Sequence, residues 1–226
     1  MPKSDYVTFD FYNCISSGQG ALTGFALPSG SEVAAAPSRG AVFGIETELI
    51  SNLIAALYEA ASAPESWKAF LELLRSSANG NYASLIVRDP QGDNVGWVIS
   101  ASGARVDVIS HDPYAHWSPF LGAPKDKVLT LQDVMTESEW KASRYYTDWC
   151  KDIDIEHVLA VDVVTDNGCA YGLRITRSKK AGAFEARELD LVRMLVPHFK
   201  RVLNMQLNLH RDRQVISLYG RATAQL

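Results

Sequence analysis

Tyr145, Tyr146 and Trp149 fall within five positions of the stretch RYYTDWC, next to Cys150. On a helix Trp149 lies four residues from Tyr145 and three from Tyr146, so it shares a face with both. Tyr114, Trp117 and Phe120 come from the preceding loop-like segment, and Trp97 projects from a strand-like run. An aromatic ring supplies contact area and its OH or N–H supplies orientation, which is the chemistry of holding a small molecule. The same rings also suit a purely structural task, sealing a helix layer against a sheet. If a pocket exists, its wall is expected from Trp97, Tyr114, Trp117, Tyr145 and Trp149.

Bond-making chemistry finds little support. The chain has no GxGxxG, no Walker loop, no GxSxG and no HExxH. His111, Asp112 and His116 cluster in HDPYAH, but a metal needs a third or fourth ligand and none follows at useful spacing. Cys150 and Cys169 stand apart and read as small buried residues. His198, after Pro197, reads as a structural hydrogen-bonding group. We therefore expect no enzyme, no cofactor and no metal.

Composition narrows the class. The 226 residues are 47% apolar and 21% charged, with a net charge of −4, an ordinary globular profile. A mildly acidic chain argues against broad nucleic-acid binding, which needs clustered Lys and Arg. Three scattered cysteines, Cys14, Cys150 and Cys169, point to a reducing compartment. No apolar run has the length of a membrane span, and MPKSDYVTFD lacks the form of a secretory signal, so the cytoplasm is expected.

The elements that must position these residues follow from periodicity. Residues 1–43, rich in Gly, Ala, Ser and Pro, read as a flexible arm with a short strand at YVTFDFY. Ile45, Leu49, Leu53 and Leu57 repeat every four residues and predict a helix. Trp67, Phe70, Leu71 and Leu74 predict a second, with Pro64 in its first turn and Asn79-Gly80 at its end. YASLIVRD and VGWVISAS read as strands joined by PQGDN, with a third short strand at 103–109. A loop with a short helix covers 111–127, and a helical region covers 130–152, capped at Thr136 or Ser138. HVLAVDVV and AYGLRITR form a hairpin around Asp166-Asn167-Gly168. A last helix begins near Phe184 and runs beyond Arg213, with a kink expected at Pro197. The result is an α+β domain over about 44–210, an antiparallel sheet flanked by helices, with 211–226 as helix end or linker. A GAF- or PAS-like sandwich is the natural candidate.

In this order, LYEAASAPESWKAFLELL, SLIVRDPQG, RYYTDWCKDIDIEHVLAVDV and AYGLRITRSKKAGAFEARELDLVRMLVPHFKRVL resemble the N-terminal sensory region of LuxR-type helix-turn-helix transcriptional regulators. The likeness spans about residues 45–210. It rests on Tyr145, Tyr146 and Trp149 ahead of a strand carrying His157, and on Pro197-His198 within the last helix. It implies a sensor that binds a small-molecule effector or a partner and passes the signal through its terminal helix. No segment after residue 184 reads as a helix-turn-helix, so DNA contact is expected only through a domain missing from this chain. Leu195, Val202, Leu209 and Ile216 recur every seven residues, a partial heptad with Gln206 and Arg213 at the companion positions, which points either to a modest homodimer contact or connector or to a C-terminal helix packed on its own sheet. The alternative is a ligand-free dimerisation or protein-interaction module.

Overall fold

A computed structural model describes residues 47–62, 66–88, 97–102, 105–109 and 117–223. The expected N-terminal arm, Pro64, the PQGDN connection, Tyr114 and the HDPYAH histidines lie outside the described residues, as do the side chains of Trp97 and Ile216.

Helices α1 (Thr47–Ser62) and α2 (Ser66–Ser77) lead into strands β1 (Tyr82–Arg88), β2 (Trp97–Ser102) and β3 (Arg105–Ile109). A two-residue strand β4 (Leu129–Thr130) and a short helix α3 (Glu137–Ala142) precede β5 (His157–Val164) and β6 (Ala170–Arg177). The chain continues into helix α4 (Ala186–Thr223). Among the described residues the strands form one antiparallel sheet in the order β3-β2-β1-β6-β5-β4.

One face of the sheet carries α1, α2 and α4. Leu53 and Leu57 of α1, the α2 stripe Trp67, Phe70, Leu71 and Leu74, and Leu195, Phe199 and Val202 of α4 are all buried there. Trp67 binds the layers together, meeting Phe70 and Phe199 edge-on with ring centroids 6.0 and 6.1 Å apart. Leu195 and Val202, half of the expected heptad, are thus committed to the chain's own core, whereas Leu209 is exposed. The apolar period of α4 over its first four turns reflects packing on the sheet, not a seam for a second helix. Helix α4 runs unbroken through Pro197.

Local signals act as expected at the end of α2 and the start of α3, and differently at the β5–β6 turn. Asn79 takes φ of 47° and Gly80 N–H closes on the Arg75 carbonyl at 2.8 Å, ending α2. Gly80 serves close approach: a Cβ there would lie 3.0 Å from the Thr176 carbonyl. Thr136 caps α3 in a reciprocal box with Glu139, whose carboxylate accepts from Thr136 N–H at 2.8 Å. At the β5–β6 turn the positive φ belongs to Gly168 (87°) and not to Asn167. The loop is longer than a two-residue Asn-Gly turn, with Gly168 N–H on the Thr165 carbonyl at 2.8 Å and Thr165 N–H on that of Cys169 at 3.0 Å.

Candidate functional site: a cavity under the aromatic turn

The second face of the sheet is covered by residues 117–155. Strand alternation sends every other residue to this side. Tyr82, Ser84 and Ile86 of β1, Val98 and Ser100 of β2, and Arg174 and Thr176 of β6 line a cavity of about 260 Å3. Ser118, Pro119, Phe120, Tyr145, Trp149, Cys150, Ile153 and Ile155 close it from above, and Val158 of β5 completes the wall. The register aligns its floor in rows: Ser100 opposite Ser84 opposite Arg174, and Tyr82 opposite Thr176 opposite Val158. Ser84 and Ser100 join their hydroxyls at 2.8 Å.

The roof departs from the expected continuous helix. Helix α3 stops at Ser143, which takes an extended ψ of 146°. The chain then turns through Tyr146–Cys150 as one wide π-type turn, with Lys151 N–H reaching the Tyr146 carbonyl at 3.0 Å. Tyr145 and Trp149 stay together in this geometry, edge to face at 5.4 Å, and both meet the cavity. Tyr146 turns away from it. Its ring packs on Trp140 at 5.2 Å, and its hydroxyl joins Lys141 (2.8 Å) and Glu156 (3.2 Å). Lys141 also bonds the Glu156 carboxylate directly. This network pins the turn to the start of β5.

Of the other expected wall residues, Trp117 is not among those around the cavity. It is 40% exposed, with the Arg144 guanidinium 4.0 Å from its ring centroid. A surface cation–π contact holds it on the outside. The side chain of Trp97 lies outside the described residues; its backbone pairs with Val87 in the β1–β2 ladder. Sequence reasoning missed the floor. The available signal was polar residues, Ser84, Ser100, Arg174 and Thr176, at alternate positions of strands whose other positions are apolar apart from Arg177 at the end of β6. Among the described residues no cluster of His, Cys, Asp or Glu is arranged to hold a metal. No described helix is long and apolar enough to cross a membrane.

At one end of the cavity lies a buried charge group. Arg174 Nη2 donates to Asp162 Oδ1 at 2.6 Å, Arg88 Nη1 to Asp162 Oδ2 at 3.4 Å, and Lys125 Nζ to Asp162 Oδ2 at 3.2 Å. Gly172 makes room, since a Cβ there would sit 2.9 Å from Asp162 Oδ1 and 3.0 Å from Arg174 Nη1. The Arg174 guanidinium also lies 5.1 Å from the Phe120 ring centroid. Burial pushes the Asp162 carboxyl up, but the charges of Arg174 and Arg88, the Arg174 hydrogen bond and Lys125 outweigh it and hold the group below the usual carboxylate range.

His157, beside Glu156, titrates in the opposite sense to a surface histidine gaining a partner. Burial pushes its pKa down, and the positive charges of Arg177 and Lys141 add to this against the pull of Glu156. Among the described residues its buried Nδ1 meets no hydrogen-bond partner. The unfolded chain, with an ordinary histidine near 6.5, then binds the proton more readily than the folded one. Stability is expected to fall as pH drops from about 7 through that value toward the depressed folded one. Urea midpoints measured from pH 7 to 5 should decline, and His157→Gln should flatten the decline. An unchanged slope in the variant would refute the assignment.

No protein-family model and no curated protein sequence matches this chain. Solved structures do. The VqsR LBD domain from Pseudomonas aeruginosa aligns with a TM-score of 0.51 at 14% identity, covering 70% of this chain and 96% of that one. The phycoerythrobilin-bound GAF domain from a cyanobacterial phytochrome gives 0.54 at 10% identity, over 72% and 96%. The bacteriophytochrome RpBphP3 from R. palustris gives 0.55 at 11% identity, over 80% of this chain and 42% of that one. At these identities the likeness shows the fold, a GAF-like α+β domain with a long C-terminal helix.

Proposed function

We propose that this chain is a ligand-sensing regulatory domain, that the cavity under Tyr145 and Trp149 is its effector site, and that it serves a LuxR-type transcriptional regulator. The observation that carries the sensing reading is the cavity itself, an apolar space of about 260 Å3 with a few convergent polar groups, roofed by the aromatic turn. The transcriptional context is supported by the ordered sequence resemblance over residues 45–210. Two of the similar solved domains are named in their descriptions as an LBD and as a bilin-bound GAF domain, which agrees with a small molecule as the signal.

A route from site to output runs through β6. Arg174 and Thr176 face the cavity, whereas Leu173 and Ile175 belong to the core that holds α4. A ligand that favours one position of β6 biases α4, and with it any domain attached beyond. Coupling of this kind requires different ligand affinities in the two arrangements. The exposure of the apolar side chains of Met205 and Leu209 on α4 (39% and 40%) favours a second reading, in which this helix also meets another copy of the chain.

The test is thermal unfolding across a metabolite library. A true effector at a hundredfold excess over its Kd should raise Tm by about 5–10 °C. Tyr145→Ala should cut that shift by more than half while the apo protein still unfolds cooperatively. A variant that loses stability yet keeps the full ligand shift removes Tyr145 from the site. A library without any shift removes the sensing function.

A further inference from the structure

Among the described residues the cavity's polar end is electrostatically unbalanced. Asp162 is the carboxylate that both buried guanidiniums meet, and the side chains of Arg88 and Arg174 are each only 7% exposed. Lys125, 40% exposed, is the third cation on the same carboxylate. Water can solvate Lys125, but it reaches little of the two arginines. A buried positive charge is therefore left over where one carboxylate faces two guanidiniums.

The hydrogen bonds show the same shortfall. A guanidinium carries five N–H donors. Arg174 commits three: Nη1 to the Val161 and Leu173 carbonyls, both at 3.1 Å, and Nη2 to Asp162. Among the described residues Arg88 has one long bond, at 3.4 Å, and its buried Nε meets no acceptor. Burial, and then the charge of Arg174, push the Arg88 pKa down against the pull of Asp162. Arg174 lines the cavity, and Arg88 follows Ile86 in the cavity-facing parity of β1. The phenol of Tyr145, in the opposite wall, lies within electrostatic reach of Arg88. The remainder of the space is lined by Ile86, Val98, Phe120, Trp149 and Ile155.

We propose that the cavity selects a compact amphipathic anion, with an apolar or aromatic body under Tyr145 and Trp149 and a single acidic head on the Arg174–Arg88 pair. The acidic head supplies the charge and the acceptors that Asp162 alone cannot. A planar carboxylate suits the guanidinium fork, and a sulfonate offers the same charge and acceptors. This inference rests on the cavity being a ligand site and adds the chemical class of its occupant.

Two dyes with one skeleton test it. N-phenyl-1-naphthylamine is neutral, and 1-anilinonaphthalene-8-sulfonate adds an anionic head. Both fluoresce on entering an apolar site. Titrated into the intact chain, both should bind, and the ratio of anionic to neutral affinity should fall about tenfold in Arg174→Gln, the size of one lost charge-assisted hydrogen bond. Arg88→Gln should act in the same direction, and Arg174→Lys should retain most of the preference. Circular dichroism identifies any variant that fails to fold. Should Arg174→Gln fail, Arg88→Gln carries the comparison, and the unaltered chain is itself informative. Its net charge of −4 works against an anion, so a preference there has to be local. Neutral dye binding without any anion preference in the unaltered chain, or a preference that survives in both Gln variants, overturns the anion class and leaves the sensing site standing. Binding of neither dye overturns both readings.

Discussion

Asp162→Asn is expected to lower the unfolding free energy by about 3–5 kcal/mol at pH 7, the usual cost of removing one partner from a buried ion cluster. The side chain is 2% exposed and is the carboxylate shared by Arg88, Arg174 and Lys125. Asn keeps the volume and some hydrogen bonding but removes the charge, so two buried guanidiniums face each other across Gly172 without an anion between them. The pH dependence gives an independent check. A carboxyl held below its ordinary range contributes stability above the unfolded value near 3.9, and this is lost as pH falls through the folded value. The acid limb of the stability curve should therefore be shallower in Asp162→Asn than in the natural chain. A loss under about 1 kcal/mol at pH 7 in urea unfolding would show that the arginines are solvated through the cavity, contrary to their burial. The same substitution should strengthen binding of the anionic dye, because it removes the resident competitor for both guanidiniums.

Arg177→Met is expected to cost a similar amount, about 3–5 kcal/mol, through a different mechanism. Arg177 ends β6 and joins three elements. Its Nε and Nη2 donate to the Ala78 carbonyl past the end of α2 at 2.9 and 2.7 Å, and its Nη1 donates to the Ala183 carbonyl at 2.8 Å. It also pairs with Glu188 in the first turn of α4 at 3.3 Å, and its guanidinium lies 4.4 Å from the Phe184 ring centroid. Both charged side chains are less than one-tenth exposed. Met fills the space but leaves two carbonyls without their donor and the Glu188 carboxylate, which keeps the Glu185 N–H at 2.9 Å and the more exposed Arg187 at 3.5 Å, without its buried counter-charge. Arg177→Lys should recover only part of the loss, since a compact ammonium cannot reproduce the fork. Adding Glu188→Leu to Arg177→Met should recover part of it too, by removing the stranded charge. If the double variant were less stable than the sum of the two single losses, the ion pair would not be the main term. The contact fixes the root of α4 to the strand that carries Arg174.

What could be read from the chain alone is whatever short-range periodicity encodes. The stripe Trp67, Phe70, Leu71 and Leu74 specified α2 and its buried face, because residues three and four apart share a side of a helix. Two β-branched runs around Asp166-Asn167-Gly168 specified the β5–β6 hairpin, and Thr136 with Glu139 specified the start of α3. The pairing of Tyr145 with Trp149 was also legible, although by a spacing rule that the π-type turn meets in its own way. Tyr146 shows where that rule ended. A regular helix would keep it with Trp149, but the break at Ser143 and the anchor on Lys141 and Glu156 send it elsewhere. Trp117 had the right chemistry for the wall, yet Arg144 holds it at the surface.

The cavity floor and its charged end were decided only by tertiary structure. Arg88 and Asp162 are 74 positions apart, and Arg174 and Asp162 are 12 apart. Nothing local distinguishes them from ordinary strand charges. They meet because β1 pairs with β6 and β6 with β5 in a register that sets Gly172 between Ile86 and Asp162. Alternation along a strand says which residues share a face. Only the order and register of the strands say which of them become neighbours, and long-range packing of the whole chain sets both.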